Sequence, residues 1–450
     1  MPPKPMRRYF SKLPGWAWAV AVLLLAALLS SRATGGATGS ATTAAAKATP
    51  KISLGIDVLQ AGNFTQLRGK RVGLLTNPAG VNRDGVSTID VLRHAKGVNL
   101  VALYGPEHGI YGDEKADVPI ADKVDKRTGL PVYSLYGKYR RPPPEMLKGI
   151  DVMVVDLQDV GTRSYTFISC LRDVMEACFE QGKEVVVLDR PNPLGGLKVG
   201  GPMMEPQWMS YGGAYPIPYV YGLTIGELAR MAKDTPGWLR TADGKPLPED
   251  MRKNGVLLVV PMHGWKRAMV WPDTGLTWVP TSPGIQNLQA AFGYGLTGLG
   301  AQLGEFKHGF GTPYAFRLLN YPNKTPEELT VAMKGLHLAG LDFAPLTYKE
   351  DGEAKSGVYV QITNWNAVDP TELSFYMMKL TAAWDPAGNP FVAAKGSDAD
   401  LFNKHVGSTA WWEEITQKGG KADVAGFFKR WDAEDAAFQK TSKRWWLYPE

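Results

Sequence analysis

The sequence predicts an α/β fold, with a parallel sheet in an N-terminal lobe and a smaller α+β lobe after it. Four short aliphatic runs are continuous rather than alternating, as is typical of strands buried on both faces. Helical patterns separate these runs, and this alternation favours a parallel sheet with right-handed crossovers. About 400 residues follow the N-terminal region, more than a single core usually holds, so we expect two lobes.

Polar side chains follow each predicted strand at the point where it ends. The predicted strands are 70–76, 98–104, 151–157 and 184–188, and the predicted helices are 87–96, 144–149 and 164–181. The strand ends deliver Asn77, then Glu107 and His108, then Asp156, Gln158 and Asp159, and last Asp189, Arg190 and Asn192. Because ligands of open parallel sheets bind beyond the carboxyl ends of the strands, we predict one site at this edge.

The first lobe is predicted to span residues 51–208 and the second residues 209–450. In the second lobe, 224–234 is a predicted helix with Thr224 as its N-cap and Glu227 at capping-box spacing. Strands are predicted at 256–260 and 358–363, and helices at 370–383 and 424–440. Glycine, proline and aromatic residues are dense between 264 and 322. Such a segment is either surface coil or the wall of a ligand cleft, where flat aromatic faces suit sugar rings.

Residues 1–33 have the pattern of a secretory signal peptide. Lys4, Arg7, Arg8 and Lys12 precede an uncharged apolar stretch, and residues 31–33 (SRA) form a small-residue cleavage site. The alternative is an uncleaved membrane anchor, since a spanning helix needs about 20 residues. Residues 34–50 are predicted to be a flexible linker. We therefore expect export to the periplasm or the medium, with membrane contact only through this segment if it is uncleaved.

The formal charge of +6 is concentrated in that leader. The chain has 50 basic and 44 acidic residues, and residues 1–33 hold five basic residues and no acids, which leaves 45 against 44. A nearly neutral remainder offers no basic surface for nucleic acid. We predict no nucleic-acid partner.

The two cysteines, Cys170 and Cys178, lie in one predicted helix. Eight helical residues separate them by about 12 Å along the axis. A disulfide needs Cα atoms within about 7 Å. We expect both to be free, buried and not catalytic.

Two further patterns do not predict cofactors. Residues 293–298 (GYGLTG) fit G-x-G-x-x-G, but they follow a predicted helix rather than the first strand, and no acid stands about 20 residues later. The six histidines are scattered, without a pair at zinc-ligand spacing. We predict no cofactor and no metal, while a mixed site of Glu107, His108, Asp113 and Asp156 for a hard metal stays open.

Four sequence blocks carry a family resemblance: 105–113 (GPEHGIYGD), 130–137 (LPVYSLYG), 156–166 (DLQDVGTRSYT) and 188–196 (LDRPNPLGG). In this order they resemble the exo-β-N-acetylmuramidase family of peptidoglycan hexosaminidases, from about Gly55 to Tyr321 and more weakly beyond. The resemblance implies a Rossmann-like N-terminal domain and a smaller C-terminal domain, with the active-site cleft between them. It also implies release of N-acetylmuramic acid, or a related amino sugar, from non-reducing ends of peptidoglycan fragments. The expected partner is a peptidoglycan-derived glycan or muropeptide.

Three stretches of the second lobe depart from the family pattern. Tyr221-Gly222 stands where a His-Gly pair usually precedes the Thr-Ile-Gly-Glu helix. Residues 281–284 (TSPG) replace a Pro-Ser-Pro-Asn stretch, and residues 309–312 (GFGT) replace Gly-Arg-Gly-Thr. These departures bear on sugar specificity more than on reaction class, because an anionic lactyl group favours a nearby Arg.

Glycoside cleavage usually needs a carboxylic acid that protonates the leaving oxygen and a second group that acts as base or nucleophile. We predict Glu107 as the general acid, with the second role open among Asp156, Asp159 and Tyr165. The predicted substrate-binding residues are Asn77, His108, Gln158, Arg163, Asp189, Arg190 and Asn192. Arg163 and Arg190 either orient carboxylates or lock the loops, and locking is favoured for Arg190.

Two other functions remain open at this point. One is a secreted carbohydrate-binding or scaffold protein that keeps the cleft but lacks turnover. The other is a metal-dependent hydrolase, which rests on the acid cluster alone.

Overall fold

The computed structural model describes residues 52–114, 120–385 and 387–450. The predicted signal peptide and linker lie outside the described residues. In the part of the chain that the structure describes, no helix combines the length and apolar character that a membrane span needs.

The strands and helices alternate through the first half of the chain, as predicted. The strands are β1 Arg71–Thr76, β2 Asn99–Gly105, β3 Lys123–Val124, β4 Pro131–Ser134, β5 Val152–Asp156, β6 Glu184–Leu188, β7 Val199–Gly200, β8 Val220–Tyr221, β9 Leu257–Val260, β10 Leu318–Leu319, β11 Leu341–Glu350 and β12 Glu353–Ile362. The helices are α1 Gly55–Ala61, α2 Thr88–Arg93, α3 Pro144–Leu147, α4 Phe167–Glu180, α5 Ile225–Asp234, α6 Glu249–Asn254, α7 Leu288–Thr297, α8 Pro326–Lys334, α9 Glu372–Trp384, α10 Pro390–Ala393, α11 Ser397–Val406, α12 Thr409–Lys418 and α13 Val424–Ser442.

A seven-stranded sheet in the order β3-β4-β2-β1-β5-β6-β9 forms the centre of the first lobe. All of its pairs are parallel except the edge pair β3–β4. The chain starts at β1, moves outward through β2 to β4, then returns to β5 beside β1 and moves the other way. This is the strand order of a doubly wound, Rossmann-like sheet, with its ligand crevice where the direction reverses. The predicted fold class is confirmed.

Strand β9 comes from beyond residue 208, where the first lobe was predicted to end. Its aliphatic residues pair with β6 from Val185–Leu257 to Leu188–Val260. The predicted boundary therefore does not coincide with the end of the sheet, because a strand that we placed in the second lobe completes the first.

Helix α4 packs one face of the sheet and is buried along most of its length. It contains Cys170 and Cys178, and both thiols are free and fully buried. Burial raises the pKa of both thiols, that of Cys178 to about 12, so neither forms a thiolate readily near neutral pH. The prediction of unreactive core cysteines agrees with this placement.

The second lobe combines the antiparallel sheet β10-β12-β11 with a group of helices. Residues 293–297 of the G-x-G-x-x-G sequence lie in helix α7 and Gly298 is its C-cap, so the sequence does not form a loop after a strand. A Cβ atom at Gly293 would lie 2.5 Å from the carbonyl oxygen of Phe316, so this glycine allows close packing. A phosphate-binding loop needs free backbone N–H groups, and the interior of a helix offers none.

Helix α5 begins with the predicted capping box, in which Thr224 Oγ1 accepts from Glu227 N and Glu227 Oε2 accepts from Thr224 N. Residues 445–449, here called the return segment, lie against this helix. Tyr448 donates to Asp189 Oδ2 at 2.5 Å, and the backbone N–H of Leu447 donates to Glu227 Oε1 at 2.8 Å. The distant return segment thus supplies partners to two buried carboxylates, Asp189 after β6 and Glu227 in α5.

Candidate active site

A cavity of about 410 Å³ lies where the loops after β2 and β5 meet the second lobe. The first lobe contributes the loop after β2 and the start of α4, and the second lobe contributes α7 and two loops. Its lining residues are Glu107, His108, Ser164, Tyr165, Thr166, Phe167, Ser282, Pro283, Gly284, Ile285, Tyr294, Phe310 and Phe316. This position agrees with the cleft that the family resemblance implies.

Glu107 reaches the cavity because the chain turns sharply after β2. His108 and Gly109 both adopt left-handed backbone conformations, with φ of 71° and 74°. His108 is buried, and its Nδ1 lies 3.0 Å from the carbonyl oxygen of Glu114. Thr166 Oγ1, at the start of α4, donates to Glu107 Oε2 at 3.1 Å. The carboxylate is therefore half-buried and oriented by a hydroxyl from the neighbouring loop.

Tyr165 also lines the cavity, beside Glu107's partner Thr166. Its hydroxyl donates to Thr281 Oγ1 at 2.7 Å, and its ring contacts those of Phe167 and Tyr294. Burial raises the pKa of Tyr165 far above its ordinary value. The hydroxyl keeps its proton near neutral pH, so Tyr165 is suited to hydrogen bonding and poorly suited to nucleophilic attack as a phenolate.

Asp159 is buried close to the tyrosines of the cavity wall. Its Oδ2 accepts hydrogen bonds from Tyr221 and from the N–H of Gly161, the latter at 2.7 Å. Its Oδ1 is buried and has no hydrogen-bond partner among the described residues. Burial raises the pKa of Asp159 to about 6. Burial is the main cause of the raised pKa of Tyr165 and Tyr294, and the Asp159 carboxylate adds to it, although Asp159 does not itself line the cavity.

Asp156, a candidate for the second catalytic role, has internal partners for both oxygens. Arg190 donates to Asp156 Oδ1 at 2.5 Å and to Oδ2 at 2.8 Å, and Thr88 Oγ1 donates to Oδ2 at 2.5 Å. Asp156 is fully buried and does not line the cavity. Arg190 also donates to the carbonyl oxygen of Val81 at 2.7 Å. This bidentate pair locks the loops after β1 and β6, the role favoured for Arg190.

Arg163 is likewise a structural clamp rather than a side chain that faces the cavity. Its guanidinium is fully buried and donates to four carbonyl oxygens, those of Pro202, Ile217, His405 and Val406. These contacts join the loop after β5 to the second lobe. Of its two predicted roles, the geometry fits locking.

Two more predicted substrate-binding residues have internal partners. Asp189 accepts from Thr224 Oγ1 and from the N–H of Gly226, at 2.7 and 2.8 Å, besides the return segment. Asn192 donates to the carbonyl oxygen of Leu223 at 3.0 Å and packs against Gly161. The structure therefore does not bring either side chain to the cavity, because helix α5 and its preceding loop cover them.

Gln158 and Arg190 line a second cavity of about 340 Å³, next to the loop after β1. Buried Asn77 lies beside Gln158, whose backbone N–H approaches Asn77 Oδ1 at 3.5 Å. The single site predicted for the strand ends is thus divided. Glu107, His108 and Tyr165 line one cavity, Gln158 and Arg190 line another, and the remaining side chains are internal.

Sequence reasoning did not assign Thr166, Tyr294, Phe310 or Phe316 to the site. The sequence did offer evidence for Phe310, because it is one of the three departures from the family pattern, and all three lie in or next to the cavity wall. Tyr221 binds Asp159, Thr281 binds Tyr165, and Phe310 lines the cavity. A Cβ atom at Gly284 would lie 2.8 Å from Phe310 Cε2, so two of the departures depend on each other. Tyr294 and Phe316 carried no such signal, because their residue types are equally typical of a core.

The hard-metal hypothesis receives no support from the geometry. In the described ranges, no three His, Cys, Asp or Glu side chains are placed to hold a metal ion. Asp156, one of its four proposed ligands, is engaged by Arg190 instead.

Two family models match nearly the whole described chain. The model of the N-terminal region of the exo-β-N-acetylmuramidase NamZ matches residues 72–289, and the model of its C-terminal region matches residues 292–448. The chain belongs to the exo-β-N-acetylmuramidase family. The division between the two family models falls near residue 290, well after the predicted boundary at 208.

Individual relatives and solved structures extend this match. The peptidoglycan β-N-acetylmuramidase NamZ of Bacillus subtilis (strain 168) is 37% identical over 406 residues, which cover 89% of this chain and 92% of the relative. A crystal structure of a DUF1343 family protein from Bacteroides fragilis NCTC 9343 superposes with a TM-score of 0.77 at 42% identity, covering 88% of this chain and 99% of that one. A second protein of that family and organism superposes at 0.66 with 24% identity, covering 89% and 99%, and supports the fold alone.

Proposed function

We propose that this protein is an exo-acting glycoside hydrolase that releases N-acetylmuramic acid from non-reducing ends of peptidoglycan fragments. Membership in the family and the relative from Bacillus subtilis support this reaction. The observation that carries it in this chain is Glu107, the one carboxylate among the described residues that line the cavity.

The size of the cavity suits exo action. Ligand pockets usually measure about 300–1,000 Å³. A volume of about 410 Å³ is near the lower end of that range. It fits one terminal amino sugar better than an internal stretch of glycan. Aromatic rings on one wall offer flat faces to the sugar, and hydroxyl groups of Ser164 and Ser282 offer hydrogen bonds.

Glu107 acts as the general acid in this proposal. It gives its proton to the glycosidic oxygen as the bond from that oxygen to C1 of the muramoyl residue breaks. Thr166 orients the carboxyl group by its hydrogen bond. General acid catalysis of this kind contributes about 10²–10⁴ in rate.

The second role falls to the substrate's own acetamido group. Asp156 is engaged by Arg190, and Tyr165 retains its proton, so neither is suited to attack C1. The acetamido carbonyl oxygen bonds to C1 as the leaving group departs, and water then opens the resulting ring, as in known substrate-assisted glycosidases. Asp159, close to the cavity wall, stabilises the positive charge that develops on the sugar.

The test uses the disaccharide MurNAc-GlcNAc and the protein without residues 1–33. Mass spectrometry should detect free N-acetylmuramic acid, and proton NMR should detect the β-anomer first, because two inversions retain configuration. If the α-anomer forms first, the acetamido mechanism is wrong while the hydrolase remains. If the protein binds the disaccharide without cleaving it, the protein is a carbohydrate-binding protein instead.

We also propose that the protein is exported through residues 1–33. Peptidoglycan lies outside the cytoplasmic membrane, and the charged start, apolar core and small-residue junction fit a signal peptide. Mass spectrometry of the protein from its native host should give an N-terminus near Thr34. Recovery of the intact N-terminus with Met1 in the cytoplasmic fraction would contradict export.

A further inference from the structure

The second cavity, which Gln158 and Arg190 line, has no role in the proposed reaction. Residues between 79 and 85, after β1, form one side of it, while Gln158 follows β5 and Arg190 follows β6. The sheet reverses its direction between β1 and β5, and ligands of doubly wound sheets bind at such a point. The cavity volume of about 340 Å³ is within the range of small-molecule pockets, about 300–1,000 Å³. The second cavity is therefore placed and sized for a small ligand.

Two buried side chains bring unused hydrogen-bond donors to the second cavity. Arg190 binds Asp156 and the carbonyl oxygen of Val81 through Nε and Nη2, and its Nη1 has no hydrogen-bond partner among the described residues. Asn82 uses Oδ1 to accept two backbone N–H groups of its own turn, and its Nδ2 likewise has no partner in the described ranges. Neither nitrogen is closed off from solvent. Both donors favour a ligand oxygen as their acceptor.

Gln158 brings an unused acceptor. Its Nε2 donates to the carbonyl oxygens of Asp159 and Pro191 at 2.8 and 3.0 Å, and these two acceptors fix the orientation of the side-chain amide. Its Oε1 is buried and has no hydrogen-bond partner in the part of the chain that the structure describes. A ligand N–H group can supply that partner. An acetamido group, with one carbonyl oxygen and one N–H, therefore matches the donors and the acceptor together.

The charges around the second cavity are balanced. Arg190 is paired with the buried Asp156, and Arg83 Nε lies 3.9 Å from Asp84 Oδ1. Arg83 also donates to the carbonyl oxygen of Ile52 at 2.5 Å. Among the described residues that line the cavity, Arg83, Asp84 and Arg190 are the charged ones. Since each guanidinium already has an acidic neighbour, the lining favours a neutral ligand over a carboxylate.

We propose that the second cavity binds a neutral N-acetylamino sugar, such as an N-acetylglucosamine residue. Its acetamido oxygen accepts from Arg190 Nη1 and Asn82 Nδ2, and its N–H donates to Gln158 Oε1. Its ring packs on the apolar wall that includes Trp271 and Leu276. This binding does not require the proposed hydrolase activity. Because such sugars alternate with muramoyl residues in peptidoglycan, the second cavity would give the protein a second contact with that polymer.

The experiment titrates methyl β-N-acetylglucosaminide into the protein and follows the indole N–H signal of Trp271 by NMR. That signal, assigned with Trp271→Phe, reports on the second cavity, because Trp271 does not line the active-site cavity. We expect a Kd of about 1 mM, since a small polar ligand gains little free energy per atom. Methyl β-glucoside and methyl β-glucuronide lack the acetamido oxygen and should each bind at least about tenfold more weakly.

Three variants test the location of the ligand. Asn82→Asp removes the Nδ2 donor but retains the Oδ1 that supports the turn, so it should weaken binding by about tenfold or more. The matched control is Asn364→Asp, at an exposed turn where Oδ1 accepts from the N–H of Asn366. It should leave Kd within about twofold, because it is a separate site. Thr277→Trp, at an exposed residue that lines the second cavity, fills the space and should abolish binding.

Several outcomes would contradict the proposal. If the Trp271 signal does not shift at about 20 mM ligand, the second cavity is not a sugar site. Tighter binding of the glucuronide would show that it prefers an anion. Weaker binding in Glu107→Gln but not in Asn82→Asp would place the sugar in the active-site cavity instead.

Circular dichroism and melting temperatures check that each variant is folded. If Asn82→Asp does not fold, Thr277→Trp decides, and binding retained in that variant would reject the second cavity. No step of this experiment measures cleavage. A failure of the proposed hydrolase function would therefore leave this inference standing, and a failure of this inference would leave the hydrolase function standing.

Discussion

Asp156 and Asp159 leave the end of the same strand, yet their surroundings are opposite. Asp156 accepts hydrogen bonds from Nε and Nη2 of Arg190 and from Thr88 Oγ1, so both of its oxygens have partners inside the fold. Asp159 has one satisfied oxygen, one buried oxygen without a described partner, and a pKa raised to about 6. The difference teaches that an acid at a strand end is structural when its partners are internal. It is available for chemistry when one partner is left for the ligand to supply.

The same contrast holds between two larger regions of the first lobe. Behind the ends of β6 and β9, Glu227 and Arg267 form a fully buried ion pair, and Asp189 is bound by Thr224 and Tyr448. On the cavity side, Glu107 is half-buried and receives a hydroxyl from Thr166. We therefore expect substitutions in the first region to change stability and those in the second to change turnover.

Glu107→Gln should have the largest effect of these variants on turnover. If it lowered the stability of the fold instead, the contrast between the two regions would be wrong. The variant keeps the shape but cannot donate the proton, so kcat on MurNAc-GlcNAc should fall about 10²–10⁴-fold. A p-nitrophenyl muramide, whose leaving group needs little protonation, should lose less. Kinetics on both substrates check this, with Glu114→Gln, at a half-buried glutamate paired with Lys123, as the matched control. Equal losses on the two substrates would reassign Glu107 to positioning or nucleophilic work.

Arg190→Met should have the largest effect on stability. It leaves Asp156 buried without its charged partner, and breaking a buried pair in this way costs about 3–5 kcal/mol. Urea denaturation measures the free energy of unfolding. The matched control is Arg71→Met, which removes an exposed pair with Asp151 and should cost about 1 kcal/mol or less. If the two variants lost equal stability, the buried partners of Asp156 would be no more important to the fold than an exposed ion pair, and the proposed distinction would be wrong.

Asp159→Asn should change the stability of the fold in a way that depends on pH, while it lowers activity at every pH. Burial raises the pKa of Asp159 from 3.8 to about 6, so the folded protein holds this proton more tightly than the unfolded chain does. As pH rises from about 4 to 6, ionisation therefore costs the native state stability, up to about 3 kcal/mol at about 1.4 kcal/mol per pH unit. The Asn variant has no such cost. It should be more stable than wild type above pH 6, no more stable near pH 4, and less active throughout.

Melting curves between pH 4 and 8 measure the stability part of this prediction. A wild type and variant that differ by the same amount at every pH would show that Asp159 is not perturbed in the native state. A variant with full activity would remove Asp159 from the proposed mechanism.

Thr166→Val should give the smallest effect. It removes the hydroxyl that donates to Glu107 and keeps the shape of the side chain. A hydrogen bond to a charged group contributes about 1.5–3 kcal/mol. Since water can replace part of it in an open cavity, we expect a fall in kcat of about tenfold, with little change in KM. Thr166→Ser, which retains the hydroxyl, should recover most of the activity, and a loss confined to KM would contradict an orienting role.

The sequence predicted the sheet and the location of the acid for clear physical reasons. Continuous aliphatic runs such as β5 and β6 are readable because both faces are buried. The position of Glu107 could be predicted because it directly follows a strand, at the edge of the sheet where ligands bind. The boundary between the lobes was harder to predict from the sequence, because β9 joins the sheet by pairing with β6, and the local sequence pattern does not reveal that pairing.

The division of the polar residues between structure and site was not readable from the sequence. Arg163 and Arg190 have the same residue type as ligand-binding arginines, and only their buried carbonyl and carboxylate partners distinguish them. Tyr294 and Phe316 reach the cavity through the packing of α7 against a distant loop. In both cases, contacts with residues far away in the chain determine whether a side chain is structural or lines the cavity.

The return segment has a consequence for how the protein is made. Tyr448 and Leu447 satisfy Asp189 and Glu227, and the carbonyl oxygen of Pro449 accepts from the N–H of Arg267. A growing chain on the ribosome therefore cannot finish its first lobe until the residues around 448 have left the exit tunnel. Synthesis that stops before them leaves Asp189 without the hydroxyl of Tyr448 and Glu227 without the N–H of Leu447, although Thr224 still donates to Asp189 and Arg267 to Glu227.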